Sequence, residues 1–468
     1  MTQRSRTGAA APLAAVLTAL ALLAAACTGA TGGVRGTPGA AGLRDRYFPK
    51  QGNGGYDVRH YALTLAYDPG TGRLDGTAVL TAVATQDLSA FNLDLSGLVV
   101  GGASVDGTPA AYHRAGNELT LRPREEVRKG TEFRATVTYG GVPEPVTDAD
   151  GSREGWLRTG DGAIAVGEPT GSMTWFPGNH HPSDKAAYDI ALTVPAGVEA
   201  LSNGVRTARR TEADGRVTTT WHAPEPMASY LATVAIGRYE TGTATALGSV
   251  PVLTAAAPAV AVDSAALRAE IPAILDRQAR RFGPYPFSAA GAVVLGNGTL
   301  GYALETQTRP VFPVASFGRT TLVHELAHQW FGNSVTPAGW RDLWLNEGFA
   351  TYAEWLYEEE YEKVPARASF ERAFAERDNW AFPPAAPPTA ENLFDPPVYQ
   401  RGAMVLHKLR VTVGDGTFDR ILRGWAEEHR YANASTADFT AYAEKTAGRD
   451  LGALWEVWLY GDGRPERP

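Results

Sequence analysis

Two histidines four residues apart, His324 and His328, occur in HELAHQWFG, and Glu347 follows nineteen residues after the second, in WLNEGFATY. No other feature constrains the chain as much. Residues four apart on a helix project from one face, one turn above the other, so a helix through RTTLVHELAHQWFG presents both imidazoles to a single point. Thr320 or Thr321 is the expected cap of that helix. TPAG (336–339) breaks it, and NEGFATYAEWLYEEEYE reads as a second helix with Glu347 near its start. If the second helix packs antiparallel to the first, the carboxylate returns to the imidazoles.

Zinc binds imidazole nitrogens at ~2.0–2.1 Å and, in catalytic sites, takes three protein ligands and keeps one open position. His324, His328 and Glu347 make such a set, so one Zn2+ per chain is expected. Glu325 lies on the neighbouring rim of the helix, within reach of a proton on water at the open position. It reads as a base and not a ligand. The five-residue pattern also arises by chance; the downstream glutamate and the helical context favour metal here. Trp330, Phe331, Trp340 and Trp344 read as core around the site. His180 and His181, adjacent in GNHHPSD, are expected at the surface.

The 468 residues exceed what one hydrophobic core supports. Hydrophobic residues make up 44% and charged residues 20%, the texture of a globular protein. The net charge of −8, with no basic cluster, gives no reason to expect a nucleic-acid partner. From Tyr56 the pattern alternates: YALTLAYDP, GTAVLTAVAT, FNLDLSGLVV, NELTLRP, EFRATVTYGG and further runs to about residue 242 read as strands of an antiparallel β domain, 46–242. SAALRAEIPAILDRQARRFG (264–283) has helical spacing, and helices dominate after Arg319, apart from the Pro-rich loop 380–398. The second domain is therefore 243–468, and the whole is an α+β multidomain fold.

The chain starts with Arg4, Arg6 and the apolar run 9–26, ending at Cys27, its one cysteine. That is the layout of an export signal over 1–27, and LLAAAC resembles a bacterial lipobox with Ala24 in the usual leucine position. Acylation of Cys27 would anchor the protein to the outer face of the cell membrane; a plain signal would leave it secreted. The glycine- and alanine-rich stretch 28–45 reads as a flexible linker.

HELAHQWFGNSV, with eighteen residues between its second histidine and Glu347, resembles the aminopeptidase N family of gluzincin zinc peptidases. The resemblance implies an N-terminal β saddle or sandwich before a thermolysin-like, mainly helical catalytic domain. It also implies substrate contacts. GYALETQT (301–308) aligns with the family's G-x-M-E-N box, so Glu305 would bind the substrate's α-amine, with Leu304 for the methionine and Thr306 for the asparagine. AVGEPTG places Glu168 as a second amine-binding residue, with Val166 for a glutamine, and PGNHHPSDKA replaces a cysteine-containing segment that follows it. VYQRGAMVLHKL places Tyr399 as the catalytic tyrosine, with Arg401 in a lysine's position. About seventy residues follow Tyr399. Larger members continue into a helical domain over the cleft, so a more open site is expected.

These readings point to hydrolysis of N-terminal residues from peptides with a free N-terminus. Two others stay open: a non-catalytic lipoprotein binding peptides or partners, and an endopeptidase using the same zinc. Oligomeric state is left open.

Overall fold

The computed structural model describes residues 36–148 and 151–466. The apolar leader, Cys27 and residues 28–35 of the expected linker lie outside these. Period-two alternation builds the first half. In Tyr56–Asp68, Tyr61, Leu63, Leu65 and Tyr67 are buried, with more exposed neighbours between them. Tyr56 and Val58 are buried on the opposite phase, because the register shifts between Val58 and His60. This strand sits inside an eight-stranded sheet, flanked by Arg73–Ala84 and Lys185–Val194. A hairpin makes the first pair antiparallel, whereas Lys185–Val194 runs parallel to it. The antiparallel expectation is corrected at that pair: a long connection, unlike a tight turn, leaves strand direction free. A five-stranded sheet holds Ala163–Val166 between Arg153–Arg158 and Val234–Gly237, and a four-stranded one contains Leu88–Asp94.

Residues 36–45, read as flexible linker, are seated in the fold. Thr37–Pro38 pairs with Leu88–Asp94, Asn92 Nδ2 donates to Gly39 O at 3.1 Å, and the Asp45 side chain is only 5% exposed. The small residues serve close approach here: a Cβ on Gly39 would lie 2.4 Å from Gly54 O. The changeover to the second half also falls before 242. Glu240–Ala246 pairs with Val250–Ala256, which continues in parallel to Ala290–Leu295 and Val311–Pro313, a sheet that packs with the helices. The single helix read over 264–283 is two, Ala261–Arg268 and Ile271–Phe282. Pro272, which lacks an N–H, is accommodated in a first helical turn and would break a helix interior.

A polar seam joins the halves behind the candidate site. Asn203, 1% exposed, donates from Nδ2 to Leu231 O at 3.0 Å and Gln307 O at 2.7 Å and accepts from Thr233 N at 2.8 Å. Thr308 Oγ1 accepts from Gly204 N at 2.8 Å. The fully buried Arg309 donates to the carbonyls of Ser202 and Gly204 and lies 4.9 Å from the Trp221 ring. These bonds pin the segment 305–309 to the 202–204 turn. Asn203→Ala removes three buried hydrogen bonds and leaves Thr233 N without its acceptor, so a stability loss of about 2–4 kcal/mol is expected. A urea midpoint equal to wild type would show that the seam carries none of it.

Candidate active site

The first histidine lies on the helix Arg319–Ala327, and His328 is the next residue, still helical in backbone. Gly318 occupies the cap position with no side-chain cap bond, so the expected caps, Thr320 and Thr321, are instead first-turn residues whose side chains line a cavity. Helix Trp344–Tyr357 brings Glu347 back. Its Oε2 lies 3.2 Å from His324 Nε2 and 3.5 Å from His328 Nε2. Donors on a tetrahedron with ~2.1 Å bonds to zinc stand ~3.4 Å apart. Two of the three donor separations match that spacing, and all three donors lie within 4.8 Å of one another, as one zinc ion requires.

The far ring nitrogens fix the tautomers. His324 Nδ1 lies 2.6 Å from Glu354 Oε1, and His328 Nδ1 lies 3.1 Å from the carbonyl oxygen of Phe331. Each acceptor calls for a proton on Nδ1, leaving Nε2 free to ligate, and a carboxylate behind an imidazole also makes it a better donor. Glu354 was not foreseen. Its signal was in the sequence, seven residues after Glu347 and so two turns along the same helical face.

Glu347 and Tyr399 are drawn together by a glycine contact. Tyr399 lies in the wide turn Pro397–Arg401, which leads into helix Gly402–Val413. A Cβ on Gly348 would sit 2.9 Å from the Gly402 backbone, so only paired glycines let the two helices approach this closely. The Tyr399 ring then lies 6.2 Å from that of His324. Behind it, Arg401 is fully buried and donates to the carbonyls of Phe382, Val457, Trp458 and Gly461, tying the tyrosine turn to the C-terminal helix.

Glu305 and Glu168 meet at the same place. Carboxylate oxygens of Glu168, Glu305 and Glu347 lie within 4.8 Å of one another, and so do donors of Glu305, Glu325 and His328. Oε1 of Glu168, Oε1 of Glu305 and Oε2 of Glu325 are buried without a hydrogen-bond partner. The Glu305 carbonyl accepts from Asn333 Nδ2 at 2.7 Å and Gln329 Nε2 at 3.2 Å, so two residues beyond the histidine helix's ligands set its place. Thr306, standing for the asparagine, closes a turn by donating to Arg309 O at 2.7 Å. The loop after Glu168 is fixed by buried Glu154, which accepts from Thr170 N at 2.9 Å and Gly171 N at 2.8 Å.

Burial and mutual repulsion set the charges. Glu168 is pushed well above the carboxylate range by burial and by Glu305 and Glu347. Burial also raises Glu325, with Glu305 and Glu347 adding to it against the pull of the two histidines, to about 8. Burial alone would raise Glu347, but His328 and His324 reverse this and hold it at about 2. Burial pulls His328 down, yet Glu305 and Glu347 hold it at about 9. Excess buried acid with unpartnered oxygens calls for cations, and a divalent ion would displace the imidazole protons.

These groups open into a cavity of about 700 Å³, also lined by Phe48, Tyr302, Leu304, Glu391 and Phe394. Trp330, Phe331, Trp340 and Trp344 are core, at most 1% exposed. His180 and His181 are a correction: both are buried, not at the surface. His180 lies 3.0 Å from both Phe176 O and Ser229 Oγ, and His181 Nε2 lies 3.6 Å from Asp45 Oδ2. The seated N-terminal segment and the β domain cover them, which an isolated HH pair does not reveal.

A two-domain β-then-helical fold with a His-His-Glu donor set and an adjacent base defines a zinc metallopeptidase architecture. The Peptidase M1 N-terminal domain matches residues 58–231, and the Peptidase family M1 domain matches 316–458. The crystal structure of an M1 zinc metallopeptidase mutant from Deinococcus radiodurans, bound to a Tyr-Ser-Ala substrate, is 32% identical with a TM-score of 0.85. The match covers 91% of this chain and 99% of that one. This chain belongs to peptidase family M1. Among curated relatives, Probable aminopeptidase 2 of Sulfurisphaera tokodaii is 26% identical over 64% of this chain and 41% of its own length. Aminopeptidase N of Streptomyces lividans is 34% identical over 31% of this chain and 19% of its own. The chain thus spans well under half the length of these two relatives. Glu354→Ala is expected to weaken zinc binding about 10–100-fold in chelator competition. An affinity within twofold of wild type would show that His324 is oriented without it.

Proposed function

We propose that this chain is a zinc-dependent aminopeptidase that removes single residues from the N-termini of peptides. One observation carries the reading: a three-donor zinc set shares its cavity with two further buried carboxylates, each with one oxygen that has no hydrogen-bond partner. A substrate ammonium held by Glu305 and Glu168 would offer its first peptide bond, and no later one, to the zinc donors. The relatives named as aminopeptidases, and the Deinococcus protein bound to a tripeptide substrate, support this.

His324, His328 and Glu347 would hold a zinc ion, which would supply a Lewis acid and lower the pKa of water towards ~7. Glu325 takes the proton of the attacking water and returns it to the leaving amine. Tyr399, kept protonated by burial and surrounding carboxylates, donates to the developing oxyanion, a contact worth roughly 10²–10³ in rate. Glu305 and Glu168 hold the ammonium and so set the register of cleavage.

Bound zinc and turnover of an aminoacyl anilide are expected from the purified protein; a metal-free, inert protein would favour a binding role. Cleavage of N-acetylated peptides as fast as free ones would remove the amine anchor and favour an endopeptidase. Glu325→Gln is expected to keep its zinc and lose at least ~10²-fold of turnover. Retained turnover would remove Glu325 as base.

We also propose that the protein is exported and held at the outer face of the membrane by acylation of Cys27. The support is the order of Arg4 and Arg6, the apolar run and LLAAAC. Cys27→Ser is expected to shift the protein from the membrane to the soluble fraction, and an unchanged distribution would overturn the anchor.

A further inference from the structure

Residues 43–53 form a loop closed on itself, with Leu43 N donating to Gln51 O at 3.1 Å and Arg44 N to Pro49 O at 3.2 Å. Asp45 fixes its tip. Asp45 Oδ1 accepts from Tyr47 N at 2.8 Å and Phe48 N at 3.1 Å, while Oδ2 accepts from Trp340 N at 3.1 Å in the helical half. Two more anchors reach the cleft from either side. Tyr47 Oη donates to Pro387 O at 2.8 Å, in the Pro-rich segment that goes on to supply Glu391 and Phe394 to the cavity. Gln51 Nε2 donates to Pro169 O at 3.1 Å, one residue after Glu168. Phe48 lies between these anchors. Its ring packs edge-on against Trp340, with centroids 6.0 Å apart, and the partly exposed remainder is cavity wall.

We propose that Phe48 is a specificity-determining residue, its ring receiving the side chain of the substrate's first residue and favouring aromatic and large aliphatic side chains over small ones. The proposal rests on the aminopeptidase reading. If Glu168 and Glu305 hold the ammonium, the first side chain must lie beside them. Gln51 ties the Phe48 loop to that end of the cavity, where Pro169 and Leu304 also contribute apolar wall. Among the described residues no lysine or arginine lines the cavity to recruit an acidic side chain; of its carboxylates, Glu168, Glu305, Glu325 and Glu347 cluster with the histidines, and Asp148, Glu391 and Asp395 stand apart from that cluster. The Asp45 turn holds the aromatic ring in place before substrate arrives, so little ordering is lost on binding. The wall thus comes from a segment that precedes the first long strand, outside both matched domains.

The test compares leucyl, phenylalanyl and alanyl anilides on the full-length zinc enzyme and on Phe48→Ala and Phe48→Leu. In Phe48→Ala the ratio of kcat/KM for leucyl over alanyl is expected to fall about tenfold, mainly through KM, the scale of one lost apolar contact. Phe48→Leu is expected to restore most of the ratio, and matched melting temperatures would separate this from loss of fold. An unchanged ratio in an active enzyme, or an equal loss on all three substrates, would overturn the proposal. Failure of the aminopeptidase reading is distinct: the wild type itself would then turn over none of the three.

Discussion

The rest of the site depends on one carboxylate reaching two imidazoles from a separate helix. Glu347 stands between His324 and His328 because helix Trp344–Tyr357 turns back on the histidine helix. The same packing sets everything nearby. Gly348, next to the ligand, meets Gly402, and that contact draws in the turn carrying Tyr399. Gln329 and Asn333, just beyond the second histidine, hold the Glu305 backbone. His324, His328, Glu347, Glu325, Tyr399 and Glu305 therefore form one packed unit, and none of them can shift alone in a close-packed interior.

Electrostatics explains why such a unit is useful. Four glutamates are buried around two imidazoles, and three of them have an oxygen without a partner. Left to itself, this arrangement is costly, since buried charge needs compensation. Under the proposed function two cations would supply it at different places, a divalent ion on the histidine side and a substrate ammonium on the Glu168 and Glu305 side. A site holding both would align a peptide's first bond with the metal donors. The fold carries the cost elsewhere, through the Asn203 and Arg309 seam and the Arg401 clasp.

Local patterns were legible in the sequence wherever a short-range rule governs. The strands of the first half follow a two-residue period, and HELAH and NEGFATY sit on helices or at their ends as their spacing requires. The readings that failed depend on distant partners. The glycine-rich segment 36–45 has a flexible composition, yet it packs against strands far along the chain. His180 and His181 carried no burial signal, because their distant partners are Asp45 and Ser229. The parallel pairing of Tyr56–Asp68 with Lys185–Val194 is likewise invisible in either strand alone.

The sequence by itself determined which side chains are chemically suited to ligate a metal or take a proton, and that a helix must present two imidazoles together, because residue type and helical pitch are local properties. Only the tertiary structure decided the distances that make these residues one site, the Glu354 contact behind His324, and the reach of the N-terminal loop into the cleft. Those depend on which surfaces pack against each other, and packing is a property of the whole chain.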